Sequence, residues 1–583
     1  MVVVISQDTF STDNNKIINN INQLLHNKGI KQELRIDVLL TILHSNNESV
    51  IIPEYAGIHE LLNTLNYMNN DLIQELFMVI GSKYTKYKLD QFYTPLTISE
   101  FIGQYMIVDD AHNAIDPAGG TGDLLIYYKG HKTIWDIDES TLKLCRLNYE
   151  LNKHTNYTVA CKDSLKSYSG DENTYSYVAM NPPFGSSTVI TDASILSNFT
   201  LGTGKKKQEI GILFVELGIK LLKPNGIMFI ILPSGYMGNS NKNCTDLREF
   251  ILYQTRVIAS LELPKNTYKR SGTGVNTYLL IVQKNQYKSQ DDKHNQTVPH
   301  EILISSINNI GYNLIKKNTP AKYKTFPETG AIVYDKNDNP ILDNDFNNIT
   351  VHLNDILKKN EVDNMYLKKD TLNEAEAEAE SEPIIDSPLI NTVLSSKLES
   401  SILDIKRYKR DYLEVKHTLE VLKCPRIKDL AKIVKKIVKH EPTQKYKYID
   451  IGEISSPFYN FKELYGWELP SRAKYSIKKY DILVSKLEGT ISYCVILMDD
   501  DNYIATNGVT VIRPNDMRSL YILFATIMKK EFIIQHNAYL TGSIMASLGD
   551  DDVARILIND KNVDIDATKK MIDTLETLQK MRI

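Results

Sequence analysis

The chain has 583 residues, of which 42 % are hydrophobic and 24 % charged, the make-up of an ordinary globular protein of about three or four domains. The five cysteines, at positions 145, 161, 244, 424 and 494, have no metal-ligand spacing, and no apolar run reaches the ~20 residues that span a bilayer, which argues against metal-stapled, disulfide-rich and membrane-spanning classes. A net charge of −4 does not mark a nucleic-acid binder as a whole, so any such role must rest on local patches.

The odd number of scattered cysteines leads to the expectation of a reducing, intracellular setting, and the opening Met1-Val2-Val3-Val4-Ile5 is too short for a secretory signal. Residues 12–88 read as helices, with Ile17, Ile18, Ile21, Leu24 and Leu25 at helical spacing and a second apolar stripe from Leu34 to Leu43. That region carries no catalytic constellation and reads as a packing domain. From residue 89 to about 320, strand and helix signals alternate, which predicts a doubly wound, mostly parallel α/β sheet.

Within that stretch Asp116-Pro117-Ala118-Gly119-Gly120-Thr121-Gly122-Asp123 follows a short apolar segment and opens a helix. Glycines there let the backbone approach a ligand and turn tightly. The spacing is not the dinucleotide fingerprint, and the phosphate-loop Lys is missing, so phosphate cradling is disfavoured. Thr133-Ile134-Trp135-Asp136 is a strand ending in an acid about 20 residues past the glycines, where a doubly wound fold places a carboxylate for ribose hydroxyls. Tyr157 to Cys161 is a third strand, followed by Asp163 and Ser164; for Asp163 a plain turn-capping role is nearly as good a reading.

The apolar run Tyr175–Met180 ends in Asn181-Pro182-Pro183-Phe184. Asn offers a neutral carbonyl acceptor, and the first Pro fixes φ and leaves its own carbonyl as a second. Phe184 offers a stacking platform for a base drawn out of a helix. Two acceptors on an exocyclic amine would localise its lone pair toward an incoming methyl group. A turn of this composition is otherwise mere punctuation at a strand end; its place after the glycine loop and two strand-end acids favours the chemical reading.

These motifs, with Gln91-Phe92-Tyr93-Thr94-Pro95 before them, resemble the S-adenosylmethionine-dependent amino-methyltransferases of the adenine-DNA group, in particular the methylation subunits of type I restriction–modification systems. Ile210 to Glu216, Leu221 to Gly226, Phe229 to Gly235, Leu261 to Pro264, Thr273 to Tyr278 and Ile310 to Leu314 continue the likeness, which covers roughly residues 20 to 320. Gly120-Thr121 departs from the Cys-Gly-Ser often found there, at a loop that works mainly through its backbone. The resemblance implies that Gln91, Tyr93, Thr94 and Pro95 flank the methionine end of the cofactor. It sets Asp116, Gly119 and Gly122 beneath that end, Asp136 at the ribose hydroxyls and Asp163 at the adenine amine, and it counts Ala118, Gly120, Ile137 and Ser164 among the cofactor-binding residues. Asn181, Pro182, Pro183 and Phe184 become the catalytic turn, and no metal is expected.

Residues 331–388 turn acidic and polar, with Glu374-Ala375-Glu376-Ala377-Glu378-Ala379-Glu380 as a low-complexity tract, and read as a linker. Residues 389–421 read as a helical connector, with Tyr408, Tyr412 and Val415 as anchors. From 422 to 558 short alternating strands follow, similar to one target-recognition domain of a type I specificity subunit, a mixed α+β module. Its basic run, Lys428, Lys432, Lys435, Lys436, Lys445 and Lys447, is either a solvated face or a set of phosphate ligands. Residues 559–583 read as an amphipathic helix on Ile565, Ile572, Leu575 and Leu578. The resemblance implies double-stranded DNA as substrate, with either a homodimer or a separate restriction or specificity partner. Methylation of RNA adenine or of a protein glutamine uses the same turn and is the runner-up; a recognition-like module speaks against it. A non-catalytic DNA-binding protein is disfavoured by the intact turn and loop, and no acidic-Lys nuclease constellation is present in the sequence.

Overall fold

The computed structural model describes residues 8–47, 52–64, 94–184, 188–268, 274–286, 299–316, 320–335, 340–360 and 390–582, apart from 436, 490, 501, 528 and 543–545. The chain forms two compact units: residues 1–233 with 246–398, and residues 234–245 with 399–583.

The first unit begins with helices α1 (Asp8–Asn27), α2 (Arg35–Asn47) and α3 (Ala56–Thr64). Ile18, Ile21, Leu25, Leu39, Ile42, Ile58 and Leu62 bury one face of each against Leu144, Leu147 and Leu151 of α5, defined below. The expected helical stripes are thus the packing surface. Helix α4 (Leu96–Gln104) leads to β1 (Asn113–Asp116), β2 (His131–Asp136), α5 (Glu139–Leu151), β3 (Tyr157–Cys161) and β4 (Tyr175–Met180). A short hairpin of β5 (Val189–Ile190) and β6 (Gln208–Glu209) precedes α6 (Ile210–Leu221) and β7 (Leu222–Pro233). Strands β8 (Thr255–Glu262), β9 (Thr277–Lys284) and β10 (Glu301–Ser306), helix α7 (Phe346–Lys359) and strand β11 (Ile390–Leu394) complete the unit.

One nine-stranded sheet runs β11-β10-β8-β9-β7-β4-β1-β2-β3. The pairs β1/β2, β2/β3, β1/β4, β4/β7 and β8/β10 are parallel, while β9 lies antiparallel between β7 and β8. β4 is buried along its whole length, as a central parallel strand covered on both faces must be, and so reads as a continuous apolar run. The expected α/β sheet is present, with β9 reversed within it.

Two boundaries differ from the sequence expectation. Residues 346–359, inside the expected linker, form α7, whose Phe346, Ile349, Leu353, Ile356 and Leu357 enter the main core. Residues 390–394, expected as helix, pair with β10 as an antiparallel edge strand. Composition misled in both places: a polar average hides one apolar stripe, and edge pairing is a long-range event.

At the opposite end of β2 from its terminal acid, Lys132 is fully buried. Its ammonium donates to the Leu125 carbonyl at 3.3 Å and the Tyr128 carbonyl, and lies 2.9 Å from His154 Nδ1. Burial, with Lys129 nearby, pushes its pKa down to about 7, and burial pushes His154 down to about 3. Between about 7 and the ordinary 10.5, the unfolded chain therefore holds a proton that the folded one has released, so this group makes stability rise with pH across that window. Lys132→Met is expected to flatten that rise; urea midpoints of both proteins at several pH values in the window check it, and parallel curves would refute it.

The second unit contains α8 (Arg410–Val421), β12 (Ala431–Ile433), β13 (Lys445–Ile449), β14 (Ile454–Ser455), β15 (Phe458–Tyr459), β16 (Lys462–Tyr465), β17 (Ala473–Ser476) and β18 (Ile482–Ser485). After these come β19 (Tyr493–Val495), β20 (Tyr503–Thr506), β21 (Val509–Pro514), α9 (Met517–Ile527), α10 (Lys530–Tyr539) and α11 (Ile565–Arg582). Two four-stranded sheets, β12-β21-β18-β19 and β16-β13-β20-β17, form the mixed α+β body. Residues 234–245 join it through Ser240 Oγ, which donates to Asp552 at 2.8 Å, and the Met237 carbonyl, which accepts from Leu403 N at 3.1 Å. On α11 the buried face is Thr568, Ile572, Leu575 and Gln579, and the expected Leu578 is exposed. Gln579 wins the inward position because its amide donates to the Tyr459 carbonyl at 2.8 Å.

Candidate active site

β1 ends at Asp116, which is buried, and the chain then turns through the glycines. The Asp116 carboxylate accepts from Ala118 N at 3.0 Å. Gly119 N donates to the Trp135 carbonyl at 2.9 Å and Gly122 N to the Gly119 carbonyl at 2.8 Å. A methyl group on Gly119 would overlap Ile134, so β1 and β2 can close up only with hydrogen there. Gly122 has φ +79°, in the left-handed region that favours glycine. Behind the loop, Asn148 Nδ2 donates to the Thr121 carbonyl at 2.9 Å and to Asp123 Oδ1 at 3.2 Å, and the Tyr149 hydroxyl to the Gly122 carbonyl at 3.0 Å. Sequence reasoning missed this support, although a polar Asn amid the buried face of α5 was the available signal.

β2 ends at Asp136, one strand over. Its carboxylate accepts from Gly120 N at 3.0 Å and Asp138 N at 2.9 Å, leaving lone pairs on both oxygens. Burial raises the pKa of Asp116 well above the usual carboxylate range, and Asp136 and Asp123 add to the rise; burial raises that of Asp136 too. A ligand cation placed beside these acids would relieve both costs. Ile137 is 71 % exposed directly after Asp136, an apolar surface next to a carboxylate, suited to a ring that also bears hydroxyls.

At the end of β3, Asp163 accepts from Leu165 N at 3.1 Å and lies 3.8 Å from Lys166. The turn-capping role is therefore real, and the second oxygen still faces a cation. Ser164 is buried and donates to the Pro117 carbonyl at 2.5 Å, so its hydroxyl braces the glycine turn from below. Thr94 is buried, and Pro95 caps the start of α4. Gln91 and Tyr93 lie outside the described residues.

β4 lies beside β1, and Asn181-Pro182-Pro183-Phe184 leaves its C-terminal end. Asn181 is half-buried with its Oδ1 shielded from solvent, Pro182 is buried, Pro183 exposed and Phe184 half-buried. Strand order reverses between β1 and β4, the switch point at which open α/β sheets form a ligand crevice beyond the strand ends. The glycine turn, Asp136, Asp163 and the Asn-Pro-Pro-Phe turn thus follow the C-terminal ends of the adjacent strands β1, β2, β3 and β4.

The basic run of the second unit divides. Lys428, Lys432 and Lys445 are exposed. Lys435 is paired with Asp551, and Lys447 with Asp500 at 2.7 Å, its ammonium also over the rings of Phe461 and Tyr503 at 5.1 and 5.3 Å. Those two have partners within their own unit, the Lys435 side chain being exposed and that of Lys447 half-buried. Lys436 lies outside the described residues.

A mostly parallel sheet with a glycine turn after its first strand and an acid at the end of its second is the frame of a methyltransferase. The chain belongs to the N-6 DNA methylase family, whose model matches residues 69–376. Among solved structures it is similar to a type I restriction–modification methyltransferase subunit from Streptococcus thermophilus, at 17 % identity and TM-score 0.39, covering 67 % of this chain and 79 % of that one. It is also similar to the type IIG restriction endonuclease BpuSI, at 12 % identity and TM-score 0.42, covering 96 % and 74 %. A class I S-adenosylmethionine-dependent methyltransferase described as putative, from Listeria monocytogenes, is similar at 17 % identity and TM-score 0.37, covering 48 % and 90 %. No curated protein matches the chain. Among the described residues, no helix is long and apolar enough to cross a membrane.

Proposed function

We propose that the protein transfers a methyl group from S-adenosylmethionine to the N6 amine of an adenine flipped out of duplex DNA, at sites read by its second unit. The observation that carries this reading is the departure of Asn181-Pro182-Pro183-Phe184 from β4, next to the strand that bears the glycine turn. S-adenosylmethionine would supply an electrophilic methyl on a sulfonium. The chain's residues do the rest. Asp116 faces the ammonium of the cofactor, which offsets the carboxyl's burial. Asp136 accepts from the ribose hydroxyls, Ile137 covers the adenine ring, and Asp163 accepts from its amine. Thr94 and Pro95 flank the methionine end.

Flipping the target base costs a few kcal/mol, and stacking on Phe184 returns about 1–3 kcal/mol. Asn181 Oδ1 and the Pro182 carbonyl accept the two N–H bonds of the amine, where positive charge grows as the methyl arrives. The product proton is acidic enough to leave to water, so no general base is required.

Support for a DNA-reading second unit comes from its surface. Trp467 is 70 % exposed, its ring parallel to that of Tyr465 with centroids 6.3 Å apart, and Lys445 lies 5.3 Å over Tyr465. Aromatic faces beside lysines suit nucleic acid. The protein then acts either as a homodimer or with a separate restriction or specificity partner. Given labelled cofactor and unmodified duplex DNA, it is expected to place label in the DNA. Label found only in RNA or in a protein glutamine would overturn the reading.

A further inference from the structure

We propose that residues 191–207, between the arms of the β5/β6 hairpin, form a backbone clamp for duplex DNA beside the catalytic turn, with Lys206 and Lys207 as its phosphate ligands. This rests on the reading of the site as a DNA methylase. β5 begins a few residues past Phe184, and β6 runs directly into α6, which returns to the start of β7. The excursion therefore stands at the C-terminal end of the sheet, the end from which Asn181 projects.

The loop is built, not slack. Glu216 of α6, with its side chain 1 % exposed, accepts from Thr200 N at 2.7 Å with one oxygen and from Leu201 N at 2.9 Å with the other. Burying a carboxylate is costly unless hydrogen bonds satisfy it, so these two bonds fix the loop's course. Gln208 Nε2 donates to the Leu201 carbonyl at 2.7 Å, and the Tyr168 hydroxyl to that of Asn198 at 3.3 Å. Ile195, Leu196, Phe199 and Leu201 are buried. At the loop's start Lys166 stands 3.6 Å from Asp192 and 3.8 Å from Asp163, tying the excursion to the end of β3.

What this scaffold carries outward is Lys205-Lys206-Lys207. Lys205 leans toward Asp246 at 4.0 Å. Lys206 and Lys207 are exposed, and neither forms an ion pair among the described residues. Adjacent like charges repel, and holding them on an ordered loop serves a polyanion, because the ordering cost of binding is met before the ligand arrives. A duplex carries one negative charge per ~1.7 Å of axis, so the strand bearing a flipped base brings phosphates to this edge. Lysine binds phosphate as a point charge and carries no sequence information; the clamp positions the duplex and leaves reading to other residues.

The test is the salt dependence of duplex binding by the full chain, without cofactor. Lys206→Ala with Lys207→Ala is expected to lower the slope of log Kd against log salt by about 1.8, at about 0.9 per phosphate contact. The wild-type advantage then shrinks about 12-fold between 50 and 200 mM salt. Lys206→Arg with Lys207→Arg restores the slope, and a thermal midpoint matching wild type shows that the Ala variant is folded. Equal slopes for wild type and Ala variant, no wild-type binding to duplex, or a slope change confined to single-stranded RNA would overturn the clamp. Because binding is read without methyl transfer, a protein that binds duplex through these lysines yet methylates nothing would sink the catalytic reading and leave the clamp standing.

Discussion

Asn181→Ala is expected to lower methyl transfer to DNA by about 10²–10³-fold, the range for removing one preorganised group aimed at developing charge. Cofactor affinity should change little, because the glycine turn, Asp136 and Asp163 stand at the ends of β1, β2 and β3, whereas Asn181 follows β4. The asymmetry is the informative part. An acceptor that only bound the ground-state amine would raise KM and spare turnover; one that meets charge growing on nitrogen lowers kcat. Single-turnover rates with saturating DNA, beside cofactor binding by calorimetry, separate the two. Near-normal turnover in the variant would remove Asn181 from the mechanism.

Gly122→Ala is expected to cost about 2–5 kcal/mol of stability, from a left-handed backbone and overpacking together, and to weaken cofactor binding with it. At φ +79° the added methyl would sit 2.8 Å from Cys145 Sγ and 2.9 Å from Tyr149 Cζ. Neither neighbour can yield cheaply. Both are fully buried on α5, and the Tyr149 hydroxyl is already donated to the Gly122 carbonyl. The turn would have to move away from α5 and break the Asn148 bonds that brace it. Denaturant melts with and without cofactor measure both effects, and a variant as stable as wild type would mean that the turn is not held as described.

Much of the first unit was legible because its central strands β4 and β7 carry apolar runs and the helices α5 and α6 have buried apolar faces. The proposed functional positions fall at or just past strand ends, where a polar residue interrupts the run: Asp116, Asp136, Asp163 and Asn181. What was not legible depends on partners far along the chain. Nothing local says that Thr277–Lys284 should run antiparallel between two other strands, or that Ile390–Leu394 should close the sheet edge. Helix α7 is different: Phe346, Ile349, Leu353 and Ile356 have helical spacing, and only the polar average around them concealed it. On α11, spacing alone could not choose between Leu578 and Gln579, because the choice was made by the Tyr459 backbone. The supports of the site, Asn148 under the glycine turn and Glu216 under residues 200 and 201, are single polar residues on buried helix faces. Their partners include backbone groups elsewhere along the chain, at Thr121, Thr200 and Leu201, which leave no mark in the sequence.

The measurement that tests the central claim most directly is the identity of the methylated nucleoside. Unmodified duplex DNA is incubated with the protein and labelled S-adenosylmethionine, digested to nucleosides and separated with mass detection. Label in N6-methyladenine, recurring at one sequence context, is the predicted result. Label in N4-methylcytosine, or none in DNA while RNA or protein is methylated under the same conditions, would contradict it.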